Sequence, residues 1–172
     1  MTHTSRALLT VASVLLLGVP APAAPAAVPS ADALLGTWTL VLVDNVFPDG
    51  HRVQLYGPHP QGRLVLDARG RYSLHLLRSG RPRFASGDKS QGTAEENRAA
   101  VQGANSHFGR YTVNAKEGTL TFHIDHASFP NWEGTAQTRA FTLEGDTLRY
   151  TVPVPTSGGP AAVGEVRWRR AP

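Results

Sequence analysis

No cysteine occurs anywhere in the 172 residues, so disulfides, thiol nucleophiles and a lipid-anchored cysteine are all excluded. Stability has to come from packing and from closure of the fold. A membrane-spanning run is missing as well. The longest apolar stretch, Ala7 to Val19, falls short of the ~20 residues a transmembrane helix needs. Basic residues exceed acidic ones by only four, are mostly arginine, and form no continuous stripe. That is the pattern of a solvated surface, and no nucleic-acid partner is expected. After the first ~26 residues there is no internal repeat and no low-complexity tract, and no nucleophile–base–orienter set can be picked out along the chain.

The N-terminal segment reads as an export signal. Arg6 provides the positive start, Ala7 to Val19 the apolar middle, and Pro20 the break. Ala21-Pro22-Ala23 and Ala24-Pro25-Ala26 are both acceptable small-residue cleavage sites. The alternative, a retained anchor, lacks the flanking charges that would stop transfer. We therefore expect a signal peptide over 1–26, a short linker over 27–33, and one domain over 34–172, secreted or periplasmic and with no membrane span once the signal is removed. About 145 residues suit a single core.

Within the domain, short alternating segments are separated by Gly, Asp and Asn turns, the pattern of an all-β fold. Eight strands are expected: 36–43, 62–67, 71–78, 107–114, 119–126, 137–143, 147–153 and 163–170. Three joints are tight, ending in Gly70, in Gly118 and around Gly145, where a hairpin needs positive φ. The joints 44–61, 79–106, 127–136 and 154–162 are long. Long and short joints alternate. In an up-and-down meander this puts every tight turn at one end and every long loop at the other, giving a closed floor and an elaborated mouth. Thr93-Ala94-Glu95-Glu96 is a capping box and predicts one short helix, running through Val101 to Gly103, in a mouth loop. It would serve either as a lid over the mouth or, more plainly, as a plug on the outer wall.

Strand parity sorts side chains into an inner and an outer set. The inner set contains Trp38, Leu40 and Leu42, then Tyr72, Leu74, Leu76 and Arg78, then His107, Gly109, Tyr111 and Val113. It continues with Leu120, Phe122, Ile124 and His126, with Gln137, Arg139, Phe141 and Leu143, and with Leu148, Tyr150, Val152, Val166, Trp168 and Arg170. Four apolar faces end in a polar residue at the mouth: Arg78, His107, His126 and Arg139. A hairpin register that sets Tyr111 opposite Phe122 sets His107 opposite His126, bringing the two imidazoles into contact range. Polar rims over apolar walls suit a small-molecule site; the plain reading is that strand ends merely emerge into water. Two histidines without further ligands make no metal site, and no metal or cofactor is expected. Phe129 and Trp132 either clamp a ligand at the rim or pack their loop onto the barrel. At the floor, Gly36 and Trp38 begin the first strand while Trp168 and Arg170 end the last, so a guanidinium over an indole would seal the base.

An ordered set of motifs resembles the bacterial and fungal lipocalin-like domain family over about 34–170. The motifs are Leu35-Gly36-Thr37-Trp38; Tyr56-Gly57-Pro58; Gly70-Arg71-Tyr72-Ser73; Phe84-Ala85-Ser86-Gly87-Asp88; Gly92-Thr93 with Glu95-Glu96-Asn97; His107-Phe108-Gly109; Phe129-Pro130-Asn131-Trp132; Gln137 with Arg139 and Phe141; and Trp168-Arg169-Arg170. The resemblance implies an eight-stranded up-and-down antiparallel lipocalin-like β-barrel that binds small apolar or amphipathic molecules, and it transfers no catalytic motif.

Function is then expected to be binding of a small apolar or amphipathic ligand, with or without a carboxylate, in the barrel. The ligand-binding candidates are Arg139, Arg78, His107, His126, Gln137, Tyr111, Tyr72, Phe122, Phe141, Tyr150 and Trp132. Two alternatives stand beside it. One is a barrel isomerase or cyclase using His107 or His126 as acid/base and Tyr111 as hydroxyl donor. The other is an interaction module with a filled barrel.

Overall fold

The computed structural model describes residues 30–157, 159 and 161–172. The expected signal peptide lies outside the described residues. Among the described residues nine strands and one α-helix follow in chain order: β1 (Gly36–Val46), β2 (Arg52–Gln54), β3 (Gln61–Leu66), β4 (Arg71–Leu77), α1 (Ala94–Gln102), β5 (Ala104–Asn114), β6 (Thr119–Ala127), β7 (Ala136–Glu144), β8 (Thr147–Val152) and β9 (Val163–Arg170). β1 pairs antiparallel with β2 and with β3, each strand from β3 to β8 pairs antiparallel with the next, and β1 also pairs with β9 from Trp38↔Arg170 to Val46↔Val163, which closes the sheet. The barrel proper has the eight strands expected. β2 is additional, a short hairpin arm laid on the outer end of β1. Arg52 on β2 donates to Asp44 Oδ2 at 3.1 Å and to Glu165 Oε2 at 2.6 Å. Asp44 and Glu165 are cross-strand neighbours, so the guanidinium neutralises two adjacent carboxylates while it fixes the arm.

An eight-stranded barrel has an interior just wide enough for its own side chains or for one small ligand. This one does both. The lower half is filled: Trp38, Leu64, Leu120, Leu148 and Trp168 are 0% exposed. A 3-10 turn, Ala31–Leu34, occupies the last residues of the expected linker and places fully buried Leu34 under the barrel. The Trp38 indole N–H donates to the Leu34 carbonyl at 2.9 Å. The Arg170 guanidinium lies 4.2 Å from the Trp38 ring centroid and donates to the Leu35 and Ala33 carbonyls, each at 2.7 Å. Gly36 lets the chain turn from the 3-10 segment into β1 at φ +116°, a region that favours glycine, with the Arg170 guanidinium against its open face.

Two bulges change the parity expected at the mouth. The β1–β9 register shifts between Leu40 and Leu42, so Val41 swings outward and Val43 and Asn45, rather than Leu42, face inward. The β5–β6 register shifts between Phe108 and Gly109. Tyr111 pairs with Phe122 as expected, but His107 pairs with Ala127 and Phe108 with His126. The extra residue is Asp125, and beyond it the side-chain alternation of β6 is inverted. Gly109 accommodates the bulge: a Cβ there would collide with the His123 carbonyl oxygen and approach Asp125 N at 2.8 Å.

Arg170→Ala removes the cation–π contact and leaves two carbonyls at the barrel base without a donor. It is expected to lower the free energy of unfolding by about 2–4 kcal/mol, read from urea denaturation, while Arg170→Lys recovers only part of that loss because lysine cannot span both carbonyls.

Candidate functional site

The upper half of the barrel contains a chamber of about 410 Å³ that opens between the long loops. Its apolar wall is built from Val43, Leu74, Leu76, Phe122, Tyr150 and Val166, and its polar groups come from Asn45, Asn105, His107, Gln137 and Arg139. These side chains are there because β4, β5, β6, β7 and β8 each present alternate residues inward above the filled floor.

Arg139 on β7 is the dominant charge in the chamber. Its Nη2 donates to Gln137 Oε1 two residues along the strand, and its Nη1 donates to the Thr138 carbonyl at 3.2 Å. Both partners are neutral. Among the described residues no carboxylate reaches the guanidinium. Burial holds the Arg139 pKa below its ordinary value; the group stays charged in an environment that disfavours charge.

His107 on β5 is 7% exposed. Its Nδ1 lies 2.7 Å from the Tyr72 hydroxyl, and its ring stands edge-on to Phe122 and Trp132 at 5.8 and 5.7 Å. Burial first, then the Arg139 charge and His75, bring the His107 pKa from 6.5 down to about 4. The imidazole is thus neutral near pH 7. Burial also raises the Tyr72 hydroxyl, so it remains a phenol and can donate to Nδ1. That tautomer puts the ring proton on Nε2. Tyr150 is pushed up to about 12 by burial and likewise remains neutral. The chamber therefore combines one unneutralised cation with uncharged donors and aromatic walls.

Not every residue expected at the site is there. His126 is displaced to the outer wall by the Asp125 bulge; its ring sits 5.5 Å from Phe108 and its Nδ1 3.5 Å from Glu133 Oε1. The expected His107–His126 contact does not form. Tyr111 sits near the closed end, where its hydroxyl donates to the Asp67 carbonyl at 2.9 Å, so it is not a donor at the mouth. Arg78 is exposed and is spent on the Leu55 carbonyl, tying down the loop after β2 rather than lining the chamber. Phe141 is buried in the core below the chamber, and Tyr72 stands behind His107 rather than on the surface. Arg139, Gln137, His107, Phe122, Tyr150 and Trp132 do converge on the chamber.

Asn45 is the residue that parity concealed. It is 1% exposed, its Nδ2 donates to the Ser157 carbonyl at 2.6 Å, and its Oδ1 is buried without a partner among the described residues. It anchors the β8–β9 loop to the chamber rim. The bulge at Val41 turns it inward, and the consecutive polar pair Asp44-Asn45 that follows the apolar run 40–43 is the trace left in the sequence. Among the described residues no group of three His, Asp or Glu side chains gathers as for a metal ion, and no helix is long and apolar enough to cross a membrane.

With this geometry in place, comparison with known proteins decides the family. Residues 35–171 match the lipocalin-like domain. The chain belongs to the lipocalin-like domain family. It is similar to the 4'-hydroxy-3'-methoxypropiophenone carrier protein of Aspergillus oryzae, with 28% identity over 107 residues, covering 58% of this chain and 96% of that relative. A crystal structure of a lipocalin-like protein from Bacteroides uniformis covers 80% of this chain and 98% of its own, at 14% identity and a TM-score of 0.43. The closed antiparallel meander described above is the lipocalin-like barrel of that family, carried here with one helix and one extra hairpin arm.

The depressed His107 pKa has a direct consequence for stability. The unfolded chain takes up a proton below about 6.5, whereas the folded protein refuses it until about 4. The stability conferred by a neutral, buried His107 is complete above pH 6.5 and is lost as the pH falls toward 4, by about 2 kcal/mol at pH 4.5. Urea midpoints at pH 7 and pH 4.5 are expected to fall further for the wild type than for His107→Gln, since the carboxylates titrate alike in both.

Proposed function

We propose that the protein is a binder of a small amphipathic molecule, with an aromatic or apolar body and an acceptor oxygen, a carboxylate or a ketone, held by Arg139. The observation that carries this reading is the half-buried Arg139 with only neutral partners. A cation withdrawn from water without a counter-ion costs several kcal/mol. A ligand oxygen placed on the guanidinium offsets that cost, and a carboxylate does so with two parallel hydrogen bonds. The aromatic wall of Phe122, Tyr150, His107 and Trp132 suits a ring edge or face. The Aspergillus relative points the same way, since its name describes a carrier of an aryl ketone. On this reading the protein binds and releases its ligand without a chemical step. The acid–base set of His107, His126 and Tyr111 is dispersed over the chamber, the outer wall and the floor, so the isomerase reading has no assembled residues behind it. We further propose that the carrier works outside the cytoplasm, on the strength of the leader-like segment Arg6 to Ala26.

Isothermal titration with 4-ethylbenzoate tests the role of Arg139. Arg139→Gln is expected to weaken binding roughly 10- to 100-fold, the worth of a hydrogen bond to a charged group, while 4-ethylbenzylamine binds neither form. Equal affinity of the wild type and the variant for the benzoate would overturn the proposal.

A further inference from the structure

Beyond the chamber lies a second compartment of about 770 Å³, lined on one side by Phe84, Ala100 and Val101 and on the other by Phe129 and Trp132. It adjoins the chamber: Tyr56, Asn105, Trp132, Thr156 and Ser157 border both. Helix α1 forms its outer wall in an unusual way. None of the helix's residues is buried. The helix is instead held by polar contacts: the reciprocal Thr93–Glu96 capping box, and the second Glu96 oxygen, which accepts from the Ala85 N–H at 2.7 Å and so ties the 84–88 turn to the helix. A short helix with an apolar patch ordinarily covers that patch by packing. Here Val101 remains 73% exposed and Phe129 38% exposed, lining a groove that borders the barrel chamber.

Trp132 stands at the junction. Its ring meets Phe129 at 5.6 Å on the vestibule side and His107 at 5.7 Å on the chamber side, and His107 continues to Phe122 at 5.8 Å. One aromatic edge-to-face ladder thus runs through both compartments. The lower end of the path carries the Arg139 charge, and the upper end is apolar and open.

We infer that the vestibule between α1 and the Phe129–Trp132 turn is a second ligand subsite, which takes an apolar tail extending from the head bound at Arg139. This rests on the chamber being the head site. It narrows the ligand to a two-part molecule: an acceptor-bearing head that fits the chamber, and a flexible hydrocarbon extension that leaves past Trp132 and covers Val101 and Phe129. A chamber-sized compact molecule would leave the vestibule walls facing water.

A series of 4-alkylbenzoates from ethyl to dodecyl, titrated calorimetrically into the full chain, tests it. Affinity is expected to rise about 4-fold for each methylene that enters the vestibule, the value of burying one such group, and to level off when the groove is full. Val101→Asp, at an exposed position that the fold tolerates, should flatten the rise for the long members and leave ethylbenzoate binding unchanged. Phe129→Ser should do the same. If the wild type shows no gain beyond the shortest members, or if the gain survives both substitutions, the vestibule is not the tail site. If no member of the series binds, ethylbenzoate included, the head site itself fails and this subsite falls with it.

Discussion

Closure of the sheet along β1 and β9 depends on what lies beneath it, because a barrel half-empty at the top needs a bottom that cannot open. In a chain without cysteine that bottom is made by one side chain. Arg170 covers the Trp38 ring and takes two carbonyls of the segment leading into β1. It therefore joins the last strand, the first strand and the N-terminal 3-10 turn at a single point. Below the chamber everything is packed, with Trp38, Trp168 and four leucines excluded from solvent. Above it, the walls are held by cross-strand hydrogen bonds and by local ties such as Arg52 between Asp44 and Glu165.

This division allows the upper half to carry features that weaken a fold. A cavity of about 410 Å³ forgoes packing, and Arg139 forgoes a counter-ion. His107 resists protonation because it is buried and because the Arg139 charge lies beside it, and burial likewise disfavours the charge on Arg139. Those costs mark the site. A half-buried guanidinium that meets only a glutamine oxygen and a backbone carbonyl is better matched by a ligand oxygen than by anything in the protein itself.

Much of the barrel was legible because its signals are local and periodic. The hairpin glycines Gly70, Gly118 and Gly145 all adopt positive φ, and the Thr93–Glu96 box caps the helix as written. Alternating loop lengths put Arg139, Gln137 and His107 at one end. What parity could not carry was its own interruption. A bulge at Val41 turned Asn45 inward and Leu42 aside, and a bulge at Asp125 turned His126 outward. Both lie toward the mouth, where strands bend to shape the opening, so extrapolating alternation failed at the functional rim while it held at the floor. Gly109, a glycine within a strand and without a turn to serve, was the trace of the second bulge. Tyr111 keeps the inward face expected of it whereas Arg78 is exposed, and the two are committed to the carbonyls of Asp67 and Leu55. Such commitments to a distant backbone leave no periodic mark.

The two ends of the barrel carry natural reporters, since Trp132 lines the chamber at its mouth and Trp38 lies in the sealed floor. Titration with 4-propylbenzoate, followed by proton–nitrogen NMR of the indole N–H groups, tests directly that ligand enters the mouth half and stops above the floor. The Trp132 indole resonance is expected to shift progressively to saturation while that of Trp38 stays fixed. A shift at Trp38 with Trp132 unmoved, or no shift at either, would contradict it.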